Sequence, residues 1–181
     1  GLYITQEDQI SAASGAAPTK NGFTGFFYAN QPPHIFRFRP TGGKSLRDIT
    51  AIDMSDDKIT SIKNLRKCIN VTSLKLQTNV GLSLDLSVLS SKMVTLWAYG
   101  CGSGITGSII HMTALNSVNL RENGASQDQV DQWINDLYAN KDVLAAGTAN
   151  FNGSNAAPSA AAKAKADELV NDYAWSIAYT P

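Results

Sequence analysis

The chain has no surplus of charge of either sign. Its 15 Lys and Arg balance its 15 Asp and Glu, so it lacks the electrostatic footprint that a nucleic-acid backbone or an anionic membrane surface attracts, and neither is expected as a partner. It has no apolar run near the ~20 residues that span a bilayer, so no membrane insertion is expected. It is poor in metal-binding and redox-competent groups, with two cysteines (Cys68, Cys101) and two histidines (His34, His111) in 181 residues. None stands at a zinc or redox-pair spacing, so neither a metal nor a cofactor is expected. The opening "GLYITQEDQI" has neither the basic start nor the apolar core of a secretory signal, which leaves export open. The length fits one domain with a sizeable core.

What the chain does have is a repeat. Ile49, Val71, Met93 and Leu115 follow one another at 22-residue intervals. Three further columns keep the same step: Ile52, Leu74, Leu96, Val118; then Met54, Leu76, Ala98, Leu120; then Asp57, Asn79, Cys101, Asn123. Repeats of this length imply one supersecondary unit per period, each unable to bury its apolar face alone.

The pattern L-x-x-L-x-L-x-x-N/C-x-L over residues 46–125 resembles the leucine-rich repeats. In the first repeat, Ile59, Ile62, Leu65 and Cys68 follow Asp57 at the spacing of the 22-residue, internalin-type class. Later repeats depart from it, with Gly81, Ser87, Ser90, Ser103 and Thr106 at its apolar positions. The return side is therefore expected to be irregular and re-registered through Leu82, Leu84, Leu86 and Leu89. The resemblance implies an α/β fold: a short leucine-rich-repeat solenoid with a parallel sheet.

Within each repeat, alternation sends Leu74 and Leu76 inward and Lys75 outward. The Asn column has a separate expected role. A side-chain amide carries two donors and an acceptor, so it can bridge adjacent coils where the chain leaves the strand. Cys101 stands in that column as a small, burial-tolerant substitute. Asp57, in the first repeat, is expected to reach solvent. Cys68 lies on the return side, 33 residues before Cys101, which places the two on opposite sides of the coil. A disulfide needs Cα atoms within about 7 Å, so buried free thiols are expected.

The flanks read as caps, dividing the chain into an N-terminal arm and cap (1–45), the repeats (46–125) and a C-terminal segment (126–181). In "ASQDQVDQWINDLYANK", Ser126 is the expected N-cap of a helix burying Val130, Trp133, Ile134 and Leu137. "GTANFNG" reads as a strand. A helix follows Pro158, with Leu169, Val170 and Tyr173 on one face. "WSIAYT" closes as a second added strand. This helix-strand-helix-strand tail, with "NAAPSAAA" and a late Trp, resembles the C-terminal segment of repeat proteins from Bacteroidetes-type bacteria and their phages. At the other end "HIFRFRP" alternates as an edge strand covering the first repeat, ended by Pro40. Residues 1–20 read as a short helix and connector, or equally as an attachment arm and a route to self-association through residues 1–45.

No set of titratable groups converges as catalysis needs. His34 and His111 fall in different segments. "MSDDK" lacks the glycine and spacing of a calcium loop and reads as a strand-end turn. "TGGK" and "CGSG" do not match a phosphate loop. The outward face is the better candidate. One outward column is Asp53, Lys75, Trp97, Asn119, and the next is Ser55, Gln77, Tyr99, Arg121, with Asn150 and Asn152 extending them. Trp97 and Tyr99, flanked by Lys75, Gln77, Asn119 and Arg121, match the composition of interface hot spots and also suit stacking on a sugar ring. The alternatives are packing of these aromatics within the chain and self-association. The expected function is non-enzymatic recognition or adhesion. Its partner would be a protein or carbohydrate held on the sheet face, at a bacterial cell surface or a phage tail or virion. The alternative is a structural virion or envelope component with an inert sheet face.

Overall fold

The computed structural model describes residues 45–181 and, within residues 1–44, the backbone of four strands. The chain is α/β. Strands β1 (Leu2–Ile4), β5 (Ile49–Asp53), β7 (Ser73–Lys75), β9 (Thr95–Trp97), β11 (Ser117–Asn119), β12 (Thr148–Phe151) and β13 (Ser176–Tyr179) form one parallel sheet in that order. Two helices, α1 (Gln127–Ala139) and α2 (Ala160–Asp172), occupy the last two crossovers. Two smaller sheets lie on the return side. One orders β2 (Thr19–Lys20), β3 (Phe23–Gly25), β4 (His34–Pro40) and β6 (Ile59–Lys63), and the other pairs β8 (Leu84–Asp85) with β10 (Ile105–Thr106).

The repeat columns become layers of one core. Ile52, Leu74, Leu96 and Val118 stand in register across β5, β7, β9 and β11, and all are buried. The 22-residue step works because each crossover returns the chain one strand along without changing register, so every inward position meets its equivalent. On the return side Leu82, Leu84, Leu86 and Leu89 are all buried, as the leucine-rich stretch implies. Deleting any one, Leu86→Ala for example, removes about 2–5 kcal/mol.

The amide column bridges neighbours as its chemistry requires. Asn79 Nδ2 donates to Met54 O (2.7 Å) and Leu76 O (2.8 Å), while its Oδ1 accepts from Ile59 N (2.9 Å). Asn123 repeats this with Ala98 O, Leu120 O and Cys101 N. Cys101 fills its place with a thiol donating to Leu76 O at 3.1 Å, the same 25-residue step back. Both cysteines are free and buried. The column continues to Asn155, 32 residues beyond Asn123, whose Oδ1 accepts from Asn123 N and Ala125 N.

Asp57 departs from expectation. Its Oδ2 is buried and lacks a hydrogen-bond partner, and its pKa is raised to about 7, chiefly by burial and then by Asp53 and Asp56. The side chain as a whole is half-buried, with one oxygen closed off rather than free in solvent. The sheet continues beyond the first repeat through β1, which pairs with β5. Leu2–Ile4 is therefore a strand rather than part of a short helix; residues 5–18 of that expected helix and connector lie outside the described residues. Strand β4 is not an edge strand either. It pairs in parallel with β6 and antiparallel with β3. Pro40 is its last residue, where a missing N–H only ends the ladder.

The C-terminal segment follows the sequence pattern closely. Ser126 caps α1 by accepting from Gln129 N, and Val130, Trp133, Ile134 and Leu137 are buried. Trp133 stacks on Phe151 with ring centroids 5.8 Å apart. Helix α2, capped by Ser159, buries Ala162, Ala166 and Leu169. Val170 is 42% exposed, contrary to expectation. It lies one residue beyond a narrow alanine stripe, which turns it toward solvent. Small residues there let α2 sit close to α1, where Tyr138 donates to Glu168 (2.8 Å) and Lys141 pairs with Glu168 at 3.3 Å.

The return segment is tied to α1 at Gly107. Its carbonyl accepts from Trp133 Nε1 (3.1 Å) and Gln129 Nε2 (3.3 Å). Its φ of +90° is left-handed, and a Cβ there would collide with the Asp85 carboxylate. Asp136, buried, completes the tie by accepting from Ser108 Oγ (2.8 Å) and Ile109 N (2.7 Å).

Candidate functional site

The outward side chains of the large sheet form three rows. The strand register aligns Asp53, Lys75, Trp97, Asn119, Asn150 and Ala178 as the middle row. The backbone ladder runs on past the strand ends: Asp56 N donates to Gln77 O, Thr78 N to Tyr99 O, Gly100 N to Arg121 O and Glu122 N to Asn152 O. That continuation holds Ser55, Gln77, Tyr99, Arg121 and Asn152 as a second row. Neighbours in a row are spaced by the strand separation, about 4.8 Å.

All the residues singled out in the sequence therefore share one face: Asp53, Lys75, Gln77, Trp97, Tyr99, Asn119 and Arg121. Each is half-buried. The two aromatics carry cations from opposite sides. Lys75 Nζ sits 4.8 Å from the centroid of the Trp97 ring, and Arg121 Cζ sits 4.6 Å from that of Tyr99. The ring quadrupole attracts each cation, which orders two otherwise flexible side chains. Trp97 Nε1 donates to Ser117 Oγ at 2.9 Å, fixing the indole across β11. Asn119 and Asn150 turn their Oδ1 atoms to the backbone N–H two residues on, at Arg121 (3.4 Å) and Asn152 (3.1 Å). Asp53 Oδ1 accepts from Ser55 Oγ at 2.7 Å.

Sequence reasoning missed a third row. Ala51, Ser73, Thr95, Ser117, Thr148 and Ser176 are in register, giving an unbroken run of hydroxyl side chains along the face from Ser73 to Ser176. The signal was present at the same 22-residue step, two positions before the middle row. Hydroxyl residues are common on any solvated strand face, so this column carries less information than the apolar columns that mark the core. Gln77 adds a further feature: its Oε1 is buried and has no hydrogen-bond partner.

The other motifs of the sequence do not converge here. His111 lies on the return side, its Nε2 3.1 Å from Leu89 O. Among the described residues no group of three or more His, Cys, Asp or Glu could hold a metal ion. A cleft of about 410 Å³ opens on the return side between β6 and β8, over Ile62, Leu65, Leu84 and Val88. It is shallow and touches none of the three rows. Compared with protein-family models, curated proteins and solved structures, the chain matches none.

Proposed function

We propose that this chain is a leucine-rich-repeat solenoid acting as a non-enzymatic recognition or adhesion module, holding a protein or glycan of a cell surface on the outward face of its sheet. The observation that carries the reading is the cation-flanked aromatic pair: Trp97 under Lys75 and Tyr99 under Arg121, ordered on a face of hydroxyl and amide side chains. Preordered aromatics and Arg bind with little further loss of side-chain freedom, which is why hot spots concentrate them. The repeat columns, the bridging amide column and the two added strands support the solenoid reading, with an N-terminal β segment and the helix-strand-helix-strand tail as its caps. A place on a bacterial surface or phage particle is part of the same proposal.

The test is the double variant Trp97→Ala/Tyr99→Ala. The chain should lose retention on a panel of immobilised glycans and cell-envelope proteins while its thermal midpoint moves by only a few degrees. A collapse of the midpoint would assign the aromatics to stability and sink the proposal. One observation favours a second reading, a structural particle component with an inert face: both rings already hold partners inside the chain. Under that reading the double variant leaves all retention unchanged.

A further inference from the structure

The composition of the three rows narrows what the face can hold. Among the described residues its large apolar side chains are Trp97 and Tyr99. The large aliphatic residues that the described surface exposes, among them Ile69, Val80, Val88, Val94 and Ile110, all lie outside the rows. A peptide or protein partner buries an apolar core at the centre of its interface, and the described residues of the three rows include no large aliphatic side chain to form one. Instead it presents hydroxyls and carboxamides side by side at the strand pitch, groups that each donate and accept. Such a surface suits a ligand equally dense in hydroxyls, whose apolar C–H groups can contact the aromatic rings.

Charge narrows it further. The ion pairs among the described residues are Lys141–Glu168 and Lys163–Asp167, so Lys75 and Arg121 belong to neither. The one carboxylate in the rows, Asp53, already accepts from Ser55. Two cations therefore stand on either side of the aromatic pair, held by the rings rather than by acids.

We infer that the ligand of this face is an acidic glycan: its carboxylates pair with Arg121 and Lys75, its sugars contact Trp97 and Tyr99 beside those cations, and its hydroxyls meet Asn119 and the Ser–Thr row. The inference rests on the reading of this face as a recognition surface and specifies its chemistry.

The experiment immobilises polygalacturonate, alginate and polysialic acid beside carboxyl-reduced polygalacturonate, dextran and poly-L-glutamate, and measures retention of the full chain. At least one acidic glycan should be retained. Arg121→Ala should weaken it about ten-fold, as expected for loss of a charge-assisted pair, Trp97→Ala should abolish it, and Arg121→Lys should recover part of it. Circular dichroism of each variant checks that the fold is kept. Retention of carboxyl-reduced polygalacturonate or dextran equal to that of the acidic glycans, lost in Trp97→Ala, overturns the acidic assignment and leaves the recognition function standing. Retention of poly-L-glutamate equal to the glycans reduces the face to a charge reader and overturns the glycan assignment. Retention of none, or retention indifferent to both Trp97→Ala and Arg121→Ala, overturns the inference; if capture of cell-envelope proteins is equally indifferent to Trp97→Ala/Tyr99→Ala, the recognition function falls with it.

Discussion

Replacing Asp57 by asparagine should stabilise the protein at neutral pH and do little at pH 4. Asp57 occupies the amide column next to Asn79, but its carboxylate is partly buried with Oδ2 unpartnered. Burial, then Asp53 and Asp56, raises its pKa from the ordinary 3.8 to about 7. Because the folded-state value is the higher one, the folded protein holds this proton where the unfolded chain has lost it. Stability is thus full below about pH 4 and falls as pH rises toward about 7. At full strength such a displacement is worth about 4 kcal/mol. The carboxyl keeps partial contact with solvent, which screens the penalty, so about 2 kcal/mol is the expected loss by pH 8. An asparagine side chain carries no charge and supplies the donors that the column uses elsewhere. Urea unfolding of Asp57→Asn at pH 4, 6 and 8 should show the variant's advantage growing from near zero to about 2 kcal/mol. An advantage of equal size at every pH, or none at pH 8, would refute the reasoning, because the penalty would then not be one of charge.

Other outcomes follow from the same geometry. Asn123→Ala strands Cys101 N and Ala98 O inside the core, while Leu120 O keeps its bond from Asn155 Nδ2, and should cost about 3 kcal/mol in urea unfolding, whereas Asn119→Ala, on the outward face, should cost less than about 0.5 kcal/mol. Cys101→Asn restores the amide to its column at nearly constant volume and should raise stability by about 1 kcal/mol; a loss would mean the pocket is shaped to sulfur. Burial pushes the Cys68 and Cys101 thiols up to about 12 and about 11, so neither should react with a thiol-specific disulfide reagent at pH 8 until the protein unfolds. Gly107→Ala drives a methyl into the Asp85 carboxylate at a left-handed φ and should lower stability by about 2 kcal/mol by thermal unfolding.

Much of this architecture is legible in the chain because its physics is local and periodic. The 22-residue step announces one strand per unit, alternation within each strand separates Leu74 and Leu76 from Lys75, and the Asn column announces a turn whose backbone needs partners. Helix α1 is equally plain, since Ser126 and the spacing of Val130, Trp133, Ile134 and Leu137 specify both its start and its buried face. These features determine that Trp97 and Tyr99 share a face with Lys75 and Arg121.

Tertiary structure decided what depends on neighbours distant in sequence. Asn155 joins the amide column only because β12 docks beside β11, after a crossover in which α1 lengthens the strand-to-strand step from 22 to 31 residues. The count does not show that Asp57 Oδ2 is buried, nor that the sheet runs on past the first repeat through β1, which pairs with β5. Val170 turns outward because α2 seats on the stripe of Ala162, Ala166 and Leu169, beside which it lies. The cations over the aromatic rings are likewise tertiary: register brings Lys75 and Arg121 alongside, but side-chain packing places one over Trp97 and the other over Tyr99. A repeat can specify which residues are neighbours, because register is a matter of counting. Which of them lose water, and which charge rests on which ring, is settled by packing across strands that the count alone does not contain.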